Sequence, residues 1–186
     1  MSQYVAFMRA INVAGHASVR MTDLRGVFAA AGCRNVTTFI QSGNVLFDSP
    51  ERGIPTILRN LRGHLRRLVG DEPDVLLRTA EEVAGLLACA PFRKIRAGAG
   101  VKHYVVFLSQ APRPRPRLPL VVPKEALEVV GIADRDLFVV SRRKKNGSFG
   151  FPNAFIEKEL GVSATTRNWT TVTKVAALLS QAPAKR

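Results

Sequence analysis

Along the first half of the chain, apolar residues change spacing repeatedly between strand-like and helical. Residues 3–8 form a short apolar run suited to a strand. A loop over residues 11–19 follows, and Thr22 then stands where a helix N-cap is expected. Leu24, Val27, Phe28 and Ala31 recur at i, i+3, i+4 and i+7, and Gly32 sits where a helix stops. Residues 36–40 predict a strand, Ser42-Gly43-Asn44 a turn, and residues 45–47 the returning strand of a hairpin. Pro55 opens a second helix with Ile57, Leu58, Leu61, Leu65 and Leu68 at helical spacing. Residues 74–77 predict a further strand. The order is β-α-β-β-α-β, the split βαβ arrangement.

Thr79 and Glu82 form a capping box ahead of Val83, Leu86 and Leu87. Ala97-Gly98-Ala99-Gly100 suits a linker, and the pattern then restarts. Residues 104–108 predict a strand, residues 112–123 a proline-rich arm, and residues 124–130 a helix ending at Gly131. Residues 137–140 predict a strand, Asn146-Gly147 a hairpin turn, and Phe149 a short return. A helix over 153–160 stopped by Gly161, a strand over 162–166 and a final helix carrying Val172, Val175, Ala176 and Leu179 complete the chain. The expected fold is therefore α+β: two tandem ferredoxin-like (βαββαβ) plaits with a C-terminal helix. The expected domains are residues 1–96 and 97–186. On this reading the repeat is one of element order, with little residue identity between the halves.

Composition adds a charge signal. Lys and Arg number 28 against 14 Asp and Glu, a formal net charge of +14. Such a surface attracts phosphate-rich polymers at low salt. Arginines outnumber lysines 20 to 8, so base composition of the genome is a competing source of the charge. Hydrophobic content of 46% is enough for packed cores. No stretch approaches the roughly 18 apolar residues of a membrane span, and no targeting segment is evident. Cys33 and Cys89 form no metal-like pair and no disulfide framework, and the three histidines are scattered. A reducing cytoplasm, no membrane association, no metal and no cofactor are the expectations.

Three stretches and three basic clusters carry candidate chemistry. Arg9-Ala10-Ile11-Asn12-Val13-Ala14-Gly15 leaves a strand ahead of a helix, a junction suited to anions, where Arg9 would clamp a phosphate and Asn12 orient it. A local ion pair and a turn explain these residues equally well. Gln41-Ser42-Gly43-Asn44 suits a tight turn, which leaves Gln41 as the residue least explained by structure. Thr165-Thr166-Arg167-Asn168-Trp169 sets an arginine beside the sole tryptophan at a helix start. Trp169 suits either a stacking surface or a plug between the domains, the plug being slightly favoured. Basic clusters comprise Arg59, Arg62 and Arg66, then Arg113, Arg115 and Arg117, and finally Arg142, Arg143, Lys144 and Lys145.

The first stretch, the following Met21-Thr22-Asp23-Leu24, Thr38-Phe39-Ile40-Gln41-Ser42-Gly43-Asn44-Val45 and residues 164–174 together resemble the bacterial family known as domain of unknown function 1697. The resemblance covers nearly the whole chain. It implies a pair of ferredoxin-like plaits and no known reaction. Ala10 and Ala14 replace glycines common in that family. Separately, Gly147-Ser148-Phe149-Gly150-Phe151, with Tyr104 and Phe107, is similar to the aromatic core of ribonucleoprotein motifs, although Pro152 interrupts it and core packing accounts for the aromatics as well.

The function expected from these features is binding of nucleic acid, RNA before DNA, or of another phosphate-bearing ligand. The basic face and an interdomain cleft would provide the surface. Arg9, Asn12, Gln41, Ser42, Asn44, Thr166, Arg167, Asn168 and Trp169 are the candidate ligand-binding residues, and Arg142, Arg143, Lys144 and Lys145 the nucleic-acid contacts. A small enzyme acting on an anionic metabolite and a protein-interaction module are the alternatives. No catalytic group is identifiable.

Overall fold

The computed structural model describes residues 1–9, 11, 19–70 and 72–181. The chain is α+β, with two antiparallel sheets and five α-helices among the described residues. It divides into two compact units. One comprises Met1–Val83 and Val175–Arg186, the other Ala84–Lys174.

In the first unit, β1 (Ser2–Met8), α1 (Met21–Ala30), β2 (Arg34–Phe39), β3 (Asn44–Ser49), α2 (Ile54–Val69) and β4 (Val75–Thr79) follow in the predicted order. The sheet order is β2-β3-β1-β4, antiparallel throughout. Side chains alternate along β1, so Tyr4, Ala6 and Met8 face a core built with Leu24, Phe28, Phe47, Ile57, Leu61 and Leu65. Tyr4 and Phe47 are cross-strand partners, and their rings stack at 5.6 Å. The opposite face, with Val5, Phe7, Leu46 and Leu76, is buried too, which is why β1 reads as a continuous apolar run. In α2, Ile57, Leu61 and Leu65 are buried while Arg59, Arg62, Arg66 and Arg67 lie on the exposed surface. Burying a leucine such as Leu61 contributes about 1.5–3 kcal/mol.

Two details differ from the sequence reading. Helix α1 begins at Met21, one residue before Thr22, and its N-cap is Arg20, without a side-chain cap bond. Thr22 instead lies in the first turn, its hydroxyl 3.4 Å from the Asp23 carboxylate. The capping box at the next helix, α3 (Ala80–Ala88), does form: the Thr79 N–H donates to Glu82 Oε2 at 2.7 Å, and the Glu82 N–H to Thr79 Oγ1 at 3.1 Å.

The second unit contains β5 (Val101–Leu108), β6 (Leu120–Val122), β7 (Leu127–Ala133), β8 (Asp136–Arg142), α4 (Asn153–Leu160) and β9 (Ala164–Asn168), and α5 (Trp169–Gln181) begins in it. Its sheet order is β6-β7-β8-β5-β9. The helix expected over residues 124–130 is absent and is replaced by a 3-10 turn, Pro123–Glu125, running into β7. Ala126 takes φ 53°, which stops helical propagation. Beyond it Leu127 and Val129 point to the core while Glu128 does not, an alternation of period two in a segment containing two adjacent valines. The return strand expected at Phe149 is also reduced, to an isolated bridge between Arg143 and Phe149. Ile156 of α4 packs with Tyr104, Val106, Leu108, Val129, Leu137 and Val139 in the core of this unit.

Inside the units, element order is not all that repeats. Tyr4-Val5-Ala6-Phe7-Met8 on β1 corresponds to Tyr104-Val105-Val106-Phe107-Leu108 on β5. The order β2-β3-β1-β4 corresponds to β7-β8-β5-β9, with β6 added at the edge. Arg78 lies opposite Val5, and Arg167 lies opposite Val105. Each arginine donates from Nη1 to the carbonyl of the residue before it, Leu77 at 2.7 Å and Thr166 at 2.9 Å. Each is followed within two residues by a helix, α3 or α5.

Candidate functional site

Several predicted site residues meet at one end of the first sheet. The Met8 N–H donates to the Gly43 carbonyl at 2.8 Å, which draws the β2–β3 turn against the end of β1. Arg9 follows directly, its N–H on the Asp74 carbonyl at 2.9 Å. Gly43 has φ 70°, and a Cβ there would stand 2.7 Å from Met8 Cβ. Only glycine fits. Gly43→Ala is expected to destabilise the protein by about 1–3 kcal/mol, measurable by urea titration. Asn44 is fully buried, and its Nδ2 donates to Phe39 O and Ser42 Oγ, both at 2.9 Å, so its side chain locks the turn. Gln41 lies on the surface of the same turn, beside Ile40, which is 50% exposed at φ 51°. Arg9, Gln41, Ser42 and Asn44 thus share one end of one sheet, whereas Asn12 lies outside the described residues.

The second predicted group follows β9 into α5. Thr166 faces α4 and donates from Oγ1 to Asn153 Oδ1, while Asn153 Nδ2 donates to the Ala164 carbonyl at 3.1 Å. That pair ties the helix to the strand. Arg167 points to the other face, 7% exposed, and donates from Nη1 to Thr165 Oγ1 at 2.8 Å. Burial pushes its guanidinium down to about 10, still protonated near neutral pH. Asn168 is exposed. Trp169 is half-buried, edge-on to Phe92 at 5.3 Å and to Phe138 at 6.3 Å.

Phe92 also stacks flat on His103, 4.2 Å between ring centroids at 7°. His103 is 9% exposed, and its Nε2 has no hydrogen-bond partner among the described residues. Burial lowers its pKa below the ordinary 6.5. A depressed histidine pKa means the unfolded chain binds more protons as pH falls, so the stability contributed by neutral His103 is complete above about 6.5 and is lost below it. His103→Phe is therefore expected to flatten the fall in thermal midpoint between about pH 7 and pH 5. An unchanged slope in calorimetry would show that His103 is not the responsible group.

Three side chains here escaped the sequence reading: Phe92, His103 and Arg78. Phe92 lies in a stretch with no periodicity. Arg78, 1% exposed, is signalled only by the alignment of its strand with that of Arg167. Cys33 is buried, which pushes its thiol up to about 12, and Cys89 is exposed. Among the described residues no three His, Cys, Asp or Glu side chains gather as a metal would require. No helix among them is long and apolar enough to cross a membrane.

The basic run after β8 forms a tight turn. The Lys144 N–H donates to the Ser148 carbonyl at 2.8 Å, the Gly147 N–H to the Lys144 carbonyl at 2.9 Å, and the Ser148 N–H to Asn146 Oδ1 at 3.1 Å. The four cations of this run are not equivalent. Lys144 is half-buried and pairs with Glu125 at 2.7 Å, and Arg142 reaches Glu128 at 3.4 Å. Arg143 and Lys145 are exposed. The Phe149 ring takes Lys102 Nζ at 4.3 Å and the Arg143 guanidinium at 5.6 Å. Phe151 is 56% exposed, its ring edge-on to Tyr104 at 5.8 Å. The ribonucleoprotein comparison therefore needs correction. Tyr104 and Phe107 are buried rather than displayed on a sheet surface, and the exposed aromatic is Phe151, beyond the turn.

The structure is similar to that of a conserved bacterial protein, SP0830, from Streptococcus pneumoniae. The TM-score is 0.62 at 20% sequence identity, covering 97% of this chain and 99% of that one. No curated protein matches the sequence. The sequence pattern of a family described as a protein of unknown function, DUF1697, matches residues 1–138. Its match takes in the first unit from β1 to β4 and the second unit as far as β8, and on that ground the chain belongs to the DUF1697 family.

Proposed function

We propose that this protein binds nucleic acid, RNA in preference to DNA, through the basic surface of the turn that follows β8. One observation carries the reading: Arg143 and Lys145 are exposed on a hydrogen-bonded turn whose aromatic, Phe149, already holds Lys102 and Arg143 against its ring. Fixed cations beside aromatic faces suit a phosphate backbone with bases attached. The exposed arginines of α2 add a second basic surface, and the net charge of +14 favours encounter with a polyanion. Asn44 and Thr166 of the predicted set are structural within their own units, one holding the β2–β3 turn and the other tying α4 to β9. On the same reading both units are ferredoxin-like plaits, the second carrying β6 and a 3-10 turn in place of its first helix.

The test is the salt dependence of binding to a fluorescent single-stranded RNA. Each phosphate contact contributes about −0.7 to the slope of log K against log salt for a single strand. A slope of about −2 or steeper is expected. A shallow slope near −0.7 would indicate a single small anion instead, and no binding at low salt would end the proposal.

A further inference from the structure

We infer that Phe151, with Phe149 beside it, is a stacking platform that makes the ligand single-stranded, so that the protein distinguishes unpaired bases from duplex. The inference rests on the nucleic-acid reading above and names its substrate class. Phe149 and Phe151 are two residues apart, and their contacts are two residues apart on one strand: Lys102 lies under Phe149 and Tyr104 under Phe151. Alternate residues of a strand share a face, so the two residues that these rings touch lie on the same side of β5.

The platform is rigid. A Cβ on Gly150 would stand 2.0 Å from the Glu125 carbonyl oxygen, so the backbone between the two rings is pressed against the turn before β7. Ser141 Oγ donates to the Gly150 carbonyl at 3.0 Å, and Lys144 holds the Glu125 carboxylate from the other side of the same turn. Phe151 is 56% exposed although the neighbouring Gly150 and Pro152 are buried. An exposed phenyl ring held in place offers a flat apolar face to a partner. Cations at Lys102, Arg143 and Lys145 attract phosphates and disfavour a basic partner, and bases supply the flat faces. In duplex those faces are already stacked, whereas in a single strand they are available.

Anisotropy titrations with a labelled oligouridylate of about 12 nucleotides and an RNA duplex of equal length test this. Phe151→Ala is expected to weaken single-strand binding roughly 5- to 150-fold, with the salt slope unchanged because no phosphate contact is lost. Phe151→Tyr should restore it, and duplex binding should be the same in wild type and Phe151→Ala. Equal single-strand affinity of wild type and Phe151→Ala, or an equal loss on both RNAs, would overturn the platform while leaving nucleic-acid binding in place. If wild type binds neither RNA, the underlying reading fails first. The side chain is mostly solvated, so these variants should fold, and unchanged thermal midpoints within about 2 °C would confirm it.

Discussion

Replacing Phe92 with alanine is expected to lower unfolding free energy by about 3–5 kcal/mol, the range for truncating a buried aromatic. Three aromatic rings meet this side chain: His103 face to face, Phe138 and Trp169 edge-on. Each such pair contributes about 0.5–1.5 kcal/mol beyond its buried area, so the loss should sit toward the upper end. Trp169 is the only tryptophan and reports on the change directly. In the folded variant its emission should shift to the red and become more accessible to quencher, because Phe92 no longer covers one edge. Urea titration followed by this fluorescence gives both numbers. A cost below about 1 kcal/mol would show that the cluster is dispensable.

That Phe92 should matter so much shows where sequence reasoning reached its limit. It falls between the helical pattern of residues 79–87 and the linker at residues 97–100, in the run Pro91-Phe92-Arg93-Lys94 with no repeat to assign it a face, and its burial is settled by tertiary contacts alone. The first unit was legible because both periods are present and their changes coincide with Gly32, Gly43 and Pro55. Its helix α2 announces itself through Ile57, Leu61 and Leu65. The second unit was harder. Lys124 to Val130 contains apolar residues at spacings compatible with either period, and what decides for strand is Ala126 in a left-handed conformation, which composition does not reveal. Of the candidate site, the turn residues were recognisable because Gly43 and Asn44 have local reasons to be what they are. The burial of Arg167 was not, since arginine in a strand is usually solvated. The correspondence of Tyr4–Met8 with Tyr104–Leu108 was present in the letters, yet only the shared registers Val5 with Arg78 and Val105 with Arg167 give it weight.

The second large effect concerns the basic turn. Replacing Lys102, Arg143 and Lys145 together with alanine is expected to reduce the salt slope of RNA binding by about 2, at roughly 0.7 per phosphate contact. At about 0.1 M salt the same loss corresponds to about 100-fold weaker binding. Lys144→Ala should behave differently. Its charge is engaged by Glu125, so the slope should hardly change, while the turn loses an anchor and the thermal midpoint falls slightly. A triple variant that binds with the wild-type slope would remove this surface from the interface, whatever the protein as a whole still binds.

Ultraviolet crosslinking of the intact protein to a uridine-rich single-stranded RNA, with adducts located by mass spectrometry, tests the central claim most directly. Cleavage after Lys145 and Lys158 releases one peptide that contains both Phe149 and Phe151. The predicted result is a nucleotide adduct on that peptide, centred on Phe151 and suppressed as salt rises. Adducts confined to other parts of the chain, or none at low salt, would contradict the account.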